Sequence, residues 1–303
     1  MKIREKLIAN NLLLVKSLVD VQKNLLSQKI PAIHLKGALQ HFFLTGGYPD
    51  RIIADIDILV PSPHFKKTVK FLLGHGYRMR LHISGRPPTP ENAVFEPQVT
   101  FVSGNKIFLR SIDLHQLLFL PSYLPDIGIT EIIDKKITLD FVRRSRFIKF
   151  MGFRFRILSP EDMLIYQSLN FLFHHGCRGK KRLQSISCIV NNLKLDWNII
   201  VRRLKQLRFS GYAYFIFRLV AETEKVIIPG RVIDELCPET SLTTFIGKKM
   251  ISSDNLGRQF ANSAIRRRYV LFLQIILAEN SSPQKLKAFF YPDFIVRFLA
   301  SPG

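Results

Sequence analysis

The sequence predicts an α+β fold in which an N-terminal domain with a mixed sheet precedes a C-terminal helical domain. Up to about residue 158, short runs rich in β-branched residues alternate with helical apolar spacing, and beyond that point the periodicity is mainly helical. The change falls at Ser159-Pro160-Glu161-Asp162, which combines an N-cap residue, proline at the first helical position and acids in the first turn. We therefore expect domains of residues 1–158 and 159–303.

The N-terminal half carries both strand and helix patterns, separated by glycine and proline breaks. The predicted helices are 3–28, 38–44 and 65–73. The predicted strands are 30–35, 52–60, 77–83, 98–102, 106–118 and 147–158, the last with a break at Gly152. The pair 98–102 and 106–118 flanks Ser103-Gly104-Asn105 like a hairpin, so the sheet is expected to be mixed.

Helical apolar spacing dominates the C-terminal half. The predicted helices are 163–174, 182–193, 197–207, 212–226, 267–278 and 286–299.

Composition narrows the class of protein. Forty-five Lys and Arg residues against 23 Asp and Glu residues give a formal charge of +22, a field that attracts anionic partners, with nucleic acid the leading candidate. No apolar run reaches the roughly 18 residues needed to span a bilayer, and the N-terminus is unlike a secretion signal. The three cysteines are too few and too scattered for a disulfide framework or a zinc motif. We expect a cytoplasmic protein without a transmembrane segment.

Two carboxylates stand two positions apart in the most apolar strand. Asp55 and Asp57 project from one face of this strand, while Ile56 and Ile58 project from the other. Buried carboxylates need compensation, and Mg²⁺ is commonly held by one or two carboxylates together with substrate phosphates. The alternative is a pair satisfied by backbone amides or by Arg51.

A third acid, Asp113, lies in a second strand-like run, Ile112-Asp113-Leu114-His115. If the two strands are neighbours, Asp113 joins Asp55 and Asp57. Three acids can hold two metal ions, a geometry suited to in-line phosphoryl chemistry, and the third acid can help to activate the nucleophile.

Lys36-Gly37-Ala38 marks the passage from a predicted strand into a predicted helix. Backbone amides at such a helix start can bind phosphate, glycine permits close approach, and Lys36 adds a positive charge. A Lys-Gly pair alone is typical of an ordinary turn, so this interpretation depends on the nearby acids.

Taken in order, Leu35-Lys36-Gly37-Ala38, RIIADIDILV over 51–60, Ile112-Asp113-Leu114-His115 and Leu158-Ser159-Pro160-Glu161-Asp162 resemble the uncharacterised nucleotidyltransferase family of the polymerase-beta-like superfamily. The resemblance covers roughly residues 30–200.

This resemblance implies a mixed-sheet catalytic domain followed by a helical domain, two Mg²⁺ ions, and transfer of a nucleotide from an NTP with release of pyrophosphate. It assigns Asp55 and Asp57 to the metal-binding pair, Asp113 to the third acid, and Lys36-Gly37-Ala38 to the triphosphate.

Two basic stretches suggest the acceptor. Residues 163–221 contain ten Lys and Arg residues and one acid, Asp196, with Arg178, Lys180, Lys181 and Arg182 forming a cluster that can neutralise phosphates. Residues 143–156 form a second basic stretch without acids, in which arginines and phenylalanines alternate. Each stretch could instead be a solvated face, but together they favour an RNA acceptor such as a tRNA end.

Other functions remain open at this level. A regulatory or toxin-like role would fit transfer to RNA. The acceptor could instead be a protein hydroxyl or a small molecule. Ala38, which stands where the wider superfamily usually has serine, allows a non-catalytic RNA-binding module. The acids alone are also compatible with a two-metal nuclease.

Overall fold

The computed structural model describes residues 3–47, 53, 55–80, 89–94, 96–104, 111–119, 131–258, 260 and 263–278. These residues form a mixed seven-stranded sheet and a large set of helices, which confirms the predicted α+β class. The chain divides into two compact units, Met1–Leu118 with Thr138–Ser159 and Phe119–Ile137 with Pro160–Gly303. Within the described part of the chain, none of the helices combines the length and apolar character needed to cross a membrane.

The described strands and helices, in chain order, are as follows. The strands are β1 Ile33–His34, β2 Asp55–Leu59, β3 Tyr77–Met79, β4 Gln98–Ser103, β5 Ser111–His115, β6 Arg146–Phe150 and β7 Phe153–Ile157. The helices are α1 Ile3–Ser27, α2 Ala38–Thr45, α3 Ser62–Gly74, α4 Pro90–Ala93, α5 Glu131–Arg144, α6 Pro160–Phe173, α7 Lys180–Asn192, α8 Trp197–Gln206, α9 Ser210–Glu224, α10 Gly230–Leu236, α11 Ser241–Met250, α12 Ser253–Leu256 and α13 Ser263–Leu277.

The sheet of the first unit has the order β3-β4-β5-β2-β1-β7-β6. Its β2–β5 and β1–β7 pairs are parallel, and its other pairs are antiparallel. The apolar strand β2 therefore lies in the middle, between β1 and β5. This arrangement makes the two acid-bearing strands direct neighbours.

The predicted strand 147–158 is in fact a hairpin of β6 and β7. Met151 and Gly152 have φ angles of 48° and 79°, so both turn residues are in the left-handed region that a tight two-residue hairpin turn requires. The sequence correctly indicated a break at Gly152. It did not show that the chain reverses there.

Several helices were not predicted from the sequence. Helix α5 and the short helices α4, α10, α11 and α12 were not predicted. A short helix shows little periodicity: α10, with seven residues, buries only Val232 and Leu236. Such segments are helical because of what they pack against. The predicted segments 106–110 and 286–299 lie outside the described residues.

A buried polar link fixes β1 against α1 and β7. His34 Nε2 lies 3.0 Å from Gln22 Oε1, and Gln22 Nε2 donates to the Arg154 carbonyl oxygen at 2.8 Å. Burial lowers the pKa of His34 to about 3, so this imidazole is neutral near pH 7. The link holds β1 in place just before Lys36, the first residue of the candidate nucleotide-binding segment.

Helix α6 is the centre of the second unit. Twelve of its fourteen residues are buried, from Asp162 to Phe173. The carboxylate of Asp162 is fully buried and forms an ion pair with Arg203 of α8, whose Nε lies 2.7 Å from Asp162 Oδ1. The sequence presented Asp162 only as an acid in a first helical turn, whereas in the fold it joins α6 to α8.

Candidate functional site

The three predicted acids lie on one face of the central sheet. In the parallel β2–β5 ladder, Asp57 is paired with Asp113 and Asp55 with Ser111. Laterally paired residues share a face, and residues two apart on a strand do so as well. The structure therefore brings Asp55, Asp57 and Asp113 together.

Their carboxylates form a compact cluster. One oxygen from each of Asp55, Asp57 and Asp113 lies within 4.8 Å of the others, and Asp57 is buried while the other two are half-buried. We call these three carboxylates the acid cluster. It opens on the side of Asp55 and Asp113, so a ligand can reach it from solvent.

Asp57 is held by two basic side chains. Lys36 Nζ lies 3.2 Å from Asp57 Oδ1, and His115 Nε2 lies 3.3 Å from the same oxygen. Burial would raise the pKa of Asp57, but the charge of Lys36 and the hydrogen bond with His115 outweigh it and hold the pKa below its usual range. Asp57 is therefore ionised at neutral pH.

Asp55 has the opposite tendency. Burial, followed by the charge of Asp57, raises the pKa of Asp55, and the ammonium of Lys36 opposes this only in part. Asp113 is oriented by Thr100, whose hydroxyl donates to Asp113 Oδ1 at 2.7 Å from the paired position on β4. The cluster therefore combines one firmly ionised carboxylate with one whose ionisation is disfavoured.

The acid cluster suits a hard divalent cation. All three groups offer oxygen ligands, which Mg²⁺ prefers. Within the described residues, Asp57 Oδ2 is buried and has no hydrogen-bond partner. A buried carboxylate oxygen without a partner is costly, and a cation bound between the carboxylates would satisfy it while lowering the repulsion that raises the pKa of Asp55.

Gly37 brings the start of α2 against the acid-bearing strand. Its φ of 88° and ψ of −144° are accessible essentially only to glycine, and a Cβ atom there would lie 3.6 Å from the Asp55 carbonyl oxygen. Helix α2 begins at Ala38, and its N-cap residue Gly37 has no side chain to cap it. The side chain of Ala38 is a buried methyl group, so its main-chain amide is the group that it can offer to a phosphate.

Lys36 forms an ion pair with the acid cluster. Its ammonium is paired with Asp57 and its side chain is 25% exposed, and its contact with phosphate stays a prediction. The charge of Lys36 therefore stabilises the acid cluster.

The predicted basic cluster lies in the second unit, at the start of α7. Lys180, Lys181 and Arg182 are exposed, and Arg178 is half-buried. Arg178, Lys180 and Arg182 line a common pocket, and Lys181 is not among the described residues that line it.

Comparison with known proteins identifies the family. The family model described as "Uncharacterised nucleotidyltransferase" matches residues 2–223, well over half of the chain. The chain belongs to this nucleotidyltransferase family. The resemblance seen in the sequence motifs is thereby confirmed, and the protein is a nucleotidyltransferase enzyme.

Other comparisons with this nucleotidyltransferase are more distant. Among solved structures five chains match, one of them the crystal structure of the lincosamide antibiotic adenylyltransferase LnuA with lincomycin bound. That match has 16% sequence identity and a TM-score of 0.39, and it covers 59% of this chain and 97% of that one. No curated protein matches the chain.

Two residues at the site of this nucleotidyltransferase were missed from the sequence. His115 contacts Asp57, and Thr100 contacts Asp113. His115 follows Asp113 by two positions, so strand alternation already placed it on the acid face. Thr100 could be found only from the β4–β5 register, which the sequence does not specify.

Proposed function

We propose that this nucleotidyltransferase moves a nucleoside monophosphate from an NTP to RNA with the help of Mg²⁺. The observation that carries the proposal is the acid cluster, three carboxylates with oxygens within 4.8 Å of one another, beside the glycine turn that starts α2. Oxygen ligands and a helix start that can bind phosphate are the two parts that nucleotidyl transfer needs.

In the proposed reaction, an RNA hydroxyl oxygen attacks the α-phosphorus of the NTP. A bond forms between these two atoms, the bond from the α-phosphorus to the oxygen bridging to the β-phosphorus breaks, and pyrophosphate leaves with that oxygen. The hydroxyl proton passes to the Asp113 carboxylate, which is half-buried, and then to solvent.

Asp55, Asp57 and Asp113 would hold the Mg²⁺ ions. When bound, such ions polarise the phosphoryl oxygens and stabilise charge on the attacking and leaving oxygens. Lys36 and His115 hold Asp57 ionised and in place. Gly37 and the first amides of α2 orient the phosphates of the NTP through main-chain donors.

Lys36 would have two roles in this scheme. Without ligands its ammonium neutralises part of the charge on Asp57 at 3.2 Å. When cations take over that task, the partly exposed Lys36 side chain would turn towards the phosphates. This proposal reconciles its observed ion pair with the contact expected from the sequence.

The β6–β7 hairpin supports RNA as the acceptor. Phe147 is 57% exposed, and the guanidinium carbons of Arg154 and Arg156 lie 4.4 and 5.6 Å from its ring centroid. An exposed aromatic ring with guanidinium neighbours can stack a base and neutralise its phosphate.

The strand register relates this hairpin to the acid cluster. Pairing through β1 and β7 places Phe147 and Arg156 on the same face of the sheet as Asp57. Three strand spacings separate β2 from β6, or roughly 14 Å. A single strand bound on the hairpin could therefore extend a few nucleotides to the acid cluster.

An assay with labelled nucleotides tests the proposal. The purified protein is incubated with α-³²P-labelled NTPs, MgCl₂ and total RNA, and label is followed in RNA, protein and small-molecule fractions. We expect label in RNA, and a loss of at least about 100-fold in Asp55→Asn, since losing even an outer-shell partner of a metal typically costs 10–100-fold.

The control is Asp234→Asn, which removes an exposed carboxylate of the second unit and should leave labelling unchanged. Label only in protein or in small molecules would replace RNA as the acceptor. Shortened RNA in the absence of NTP would indicate a nuclease and reject the proposal.

A further inference from the structure

The second unit contains an open basic pocket of about 510 Å³. Among its described lining residues there are five Lys and Arg side chains and no Asp or Glu. The cations are Arg178, Lys180, Arg182, Arg258 and Arg266. The sequence cluster contributed only three of them, because Arg258 and Arg266 come from a part of the chain about 80 residues later.

Arg178 is fixed by aromatic contacts. Its guanidinium carbon lies 3.8 Å from the centroid of the Phe260 ring and 5.1 Å from that of Tyr269. Stacking on a ring holds the plane of the guanidinium and leaves donors at its edge to bind an anion. Such a preset fork matches the geometry of phosphate oxygens.

The backbone around Arg178 is built for this contact. Gly176 has a φ of 57°, and a Cβ atom there would come within 2.9 Å of the Phe260 side chain and 3.0 Å of Tyr269. The Gly179 amide donates to the Leu256 carbonyl oxygen at 3.0 Å. Close packing and a main-chain hydrogen bond thus join the α6–α7 turn to the segment that carries Arg258 and Phe260.

The positive charge of the pocket favours binding of an anion. Like charges gathered in one pocket repel one another, and this repulsion grows as solvent is excluded. A ligand with several phosphates removes the repulsion and releases its own counterions. Lys180, Arg182, Arg258 and Arg266 are exposed, so the pocket can admit a continuous chain of phosphates as well as a detached anion.

We infer that the basic pocket binds consecutive backbone phosphates of the acceptor RNA, with Arg178 as the fixed anchor. The choice of RNA rests on the proposed function, whereas the phosphate chemistry rests on the pocket itself. The pocket therefore contributes affinity for RNA, and its contribution can be measured without catalysis.

The test compares two double variants of equal charge. Arg258→Ala with Arg266→Ala removes two exposed cations of the pocket, and Arg231→Ala with Lys248→Ala removes two exposed cations of the same unit outside it. Binding of a short single-stranded RNA carrying a terminal fluorophore is followed by anisotropy over a range of NaCl concentrations, without NTP or MgCl₂.

We expect the pocket variant to bind RNA about tenfold more weakly near 0.15 M salt, with a salt slope shallower by about 1.4 for two lost phosphate contacts. The matched variant should change affinity by less than about twofold, as expected for solvated surface charges. Equal weakening of both variants would overturn the inference, because binding would then follow net charge alone.

Two further arms separate the outcomes. Arg178→Lys keeps the charge but loses the planar fork, so it should also weaken binding; wild-type affinity there would reject Arg178 as the anchor. In a competition assay, inorganic triphosphate and unlabelled RNA are compared at equal concentrations of phosphate groups. If triphosphate displaces the labelled RNA at a much lower phosphate concentration than unlabelled RNA does, the pocket is a site for small polyphosphates and the choice of RNA is overturned.

Failure of the inference is distinguishable from failure of the proposed function. RNA labelling by the pocket variant with an unchanged KM would reject the pocket and leave the function standing. If the wild-type protein binds RNA through the pocket but adds no label, the proposed function is rejected and the pocket stands.

Discussion

Asp57 of β2 and Asp113 of β5 occupy paired positions in neighbouring parallel strands. Their side chains therefore leave the sheet side by side, and Asp55 joins them from two positions earlier on β2. Because Asp57 is buried and bound by Lys36 and His115, it is the fixed member of the acid cluster. The predictions below follow from this asymmetry.

His115 should act as a positioning residue for Asp57. His115→Leu removes the contact at 3.3 Å, so the pKa of Asp57 should rise and kcat/KM for nucleotidyl transfer should fall by about 10–100-fold, as for other outer-shell partners of a metal. His115→Gln, which restores an amide donor, should recover part of the loss. As the pKa of Asp57 rises in His115→Leu, the acid limb of the pH profile of kcat/KM should move to higher pH. If His115 only stabilises the fold, both variants should have a lower melting temperature and this acid limb should stay in place.

Lys36 should set the pH at which the acid cluster binds divalent cations. Binding requires ionised Asp55, whose pKa is raised by burial. As the pH is lowered, affinity for Mn²⁺, a probe for Mg²⁺, should therefore be lost at a higher pH than it would be with an ordinary aspartate. In Lys36→Gln a cation that lowers the pKa of both Asp55 and Asp57 is lost, so the midpoint should move further up in pH. A midpoint that stays in place or moves down would contradict the assigned electrostatics.

Gly37 should be intolerant of a side chain. Gly37→Ala forces alanine into a backbone conformation that costs on the order of 1–3 kcal/mol, although the space at its Cβ is ordinary. We expect a lower free energy of unfolding in urea and weaker NTP binding. Gly74→Ala is the matched control: it lies at the end of α3 with nothing within 4 Å of its Cβ, and it should be neutral or slightly stabilising. Equal effects at both glycines would argue against a special role for position 37.

The Asp162–Arg203 pair should be a stability element of the second unit. Arg203→Ala leaves the buried Asp162 carboxylate without this partner, so unfolding should be easier by about 3–5 kcal/mol. A double variant, Asp162→Leu with Arg203→Met, should recover most of that loss, because apolar residues of similar size avoid the uncompensated charge. Thermal unfolding followed by circular dichroism distinguishes these outcomes, and a double variant no better than the single one would show that the pair is needed for more than charge balance.

Much of the site was predictable because strand alternation is a local rule. Asp55, Asp57 and Asp113 stand out as charges in apolar strands, and their shared face follows from the spacing of residues within each strand. What brought them together was the β2–β5 pairing, a long-range contact that no local pattern specifies. The same limit applies to Thr100, which reaches Asp113 only through the β4–β5 register.

Elsewhere, tertiary context changed the meaning of a residue. Asp162 reads as a helix-start acid in the sequence but forms a buried ion pair with Arg203, 41 positions later. Arg258 and Arg266 show no pattern of their own and gain significance only beside Arg178. Residue type predicted the chemistry of each group, and the fold determined its partner.

The most direct test of the acid cluster is a titration with Mn²⁺ in the presence of a non-hydrolysable NTP analogue, followed by electron paramagnetic resonance. The wild-type protein should bind the ion, and Asp55→Asn, Asp57→Asn and Asp113→Asn should each weaken binding by at least about tenfold, whereas Asp234→Asn should not. If Asp113→Asn binds Mn²⁺ as tightly as the wild-type protein, the three carboxylates do not form one metal centre.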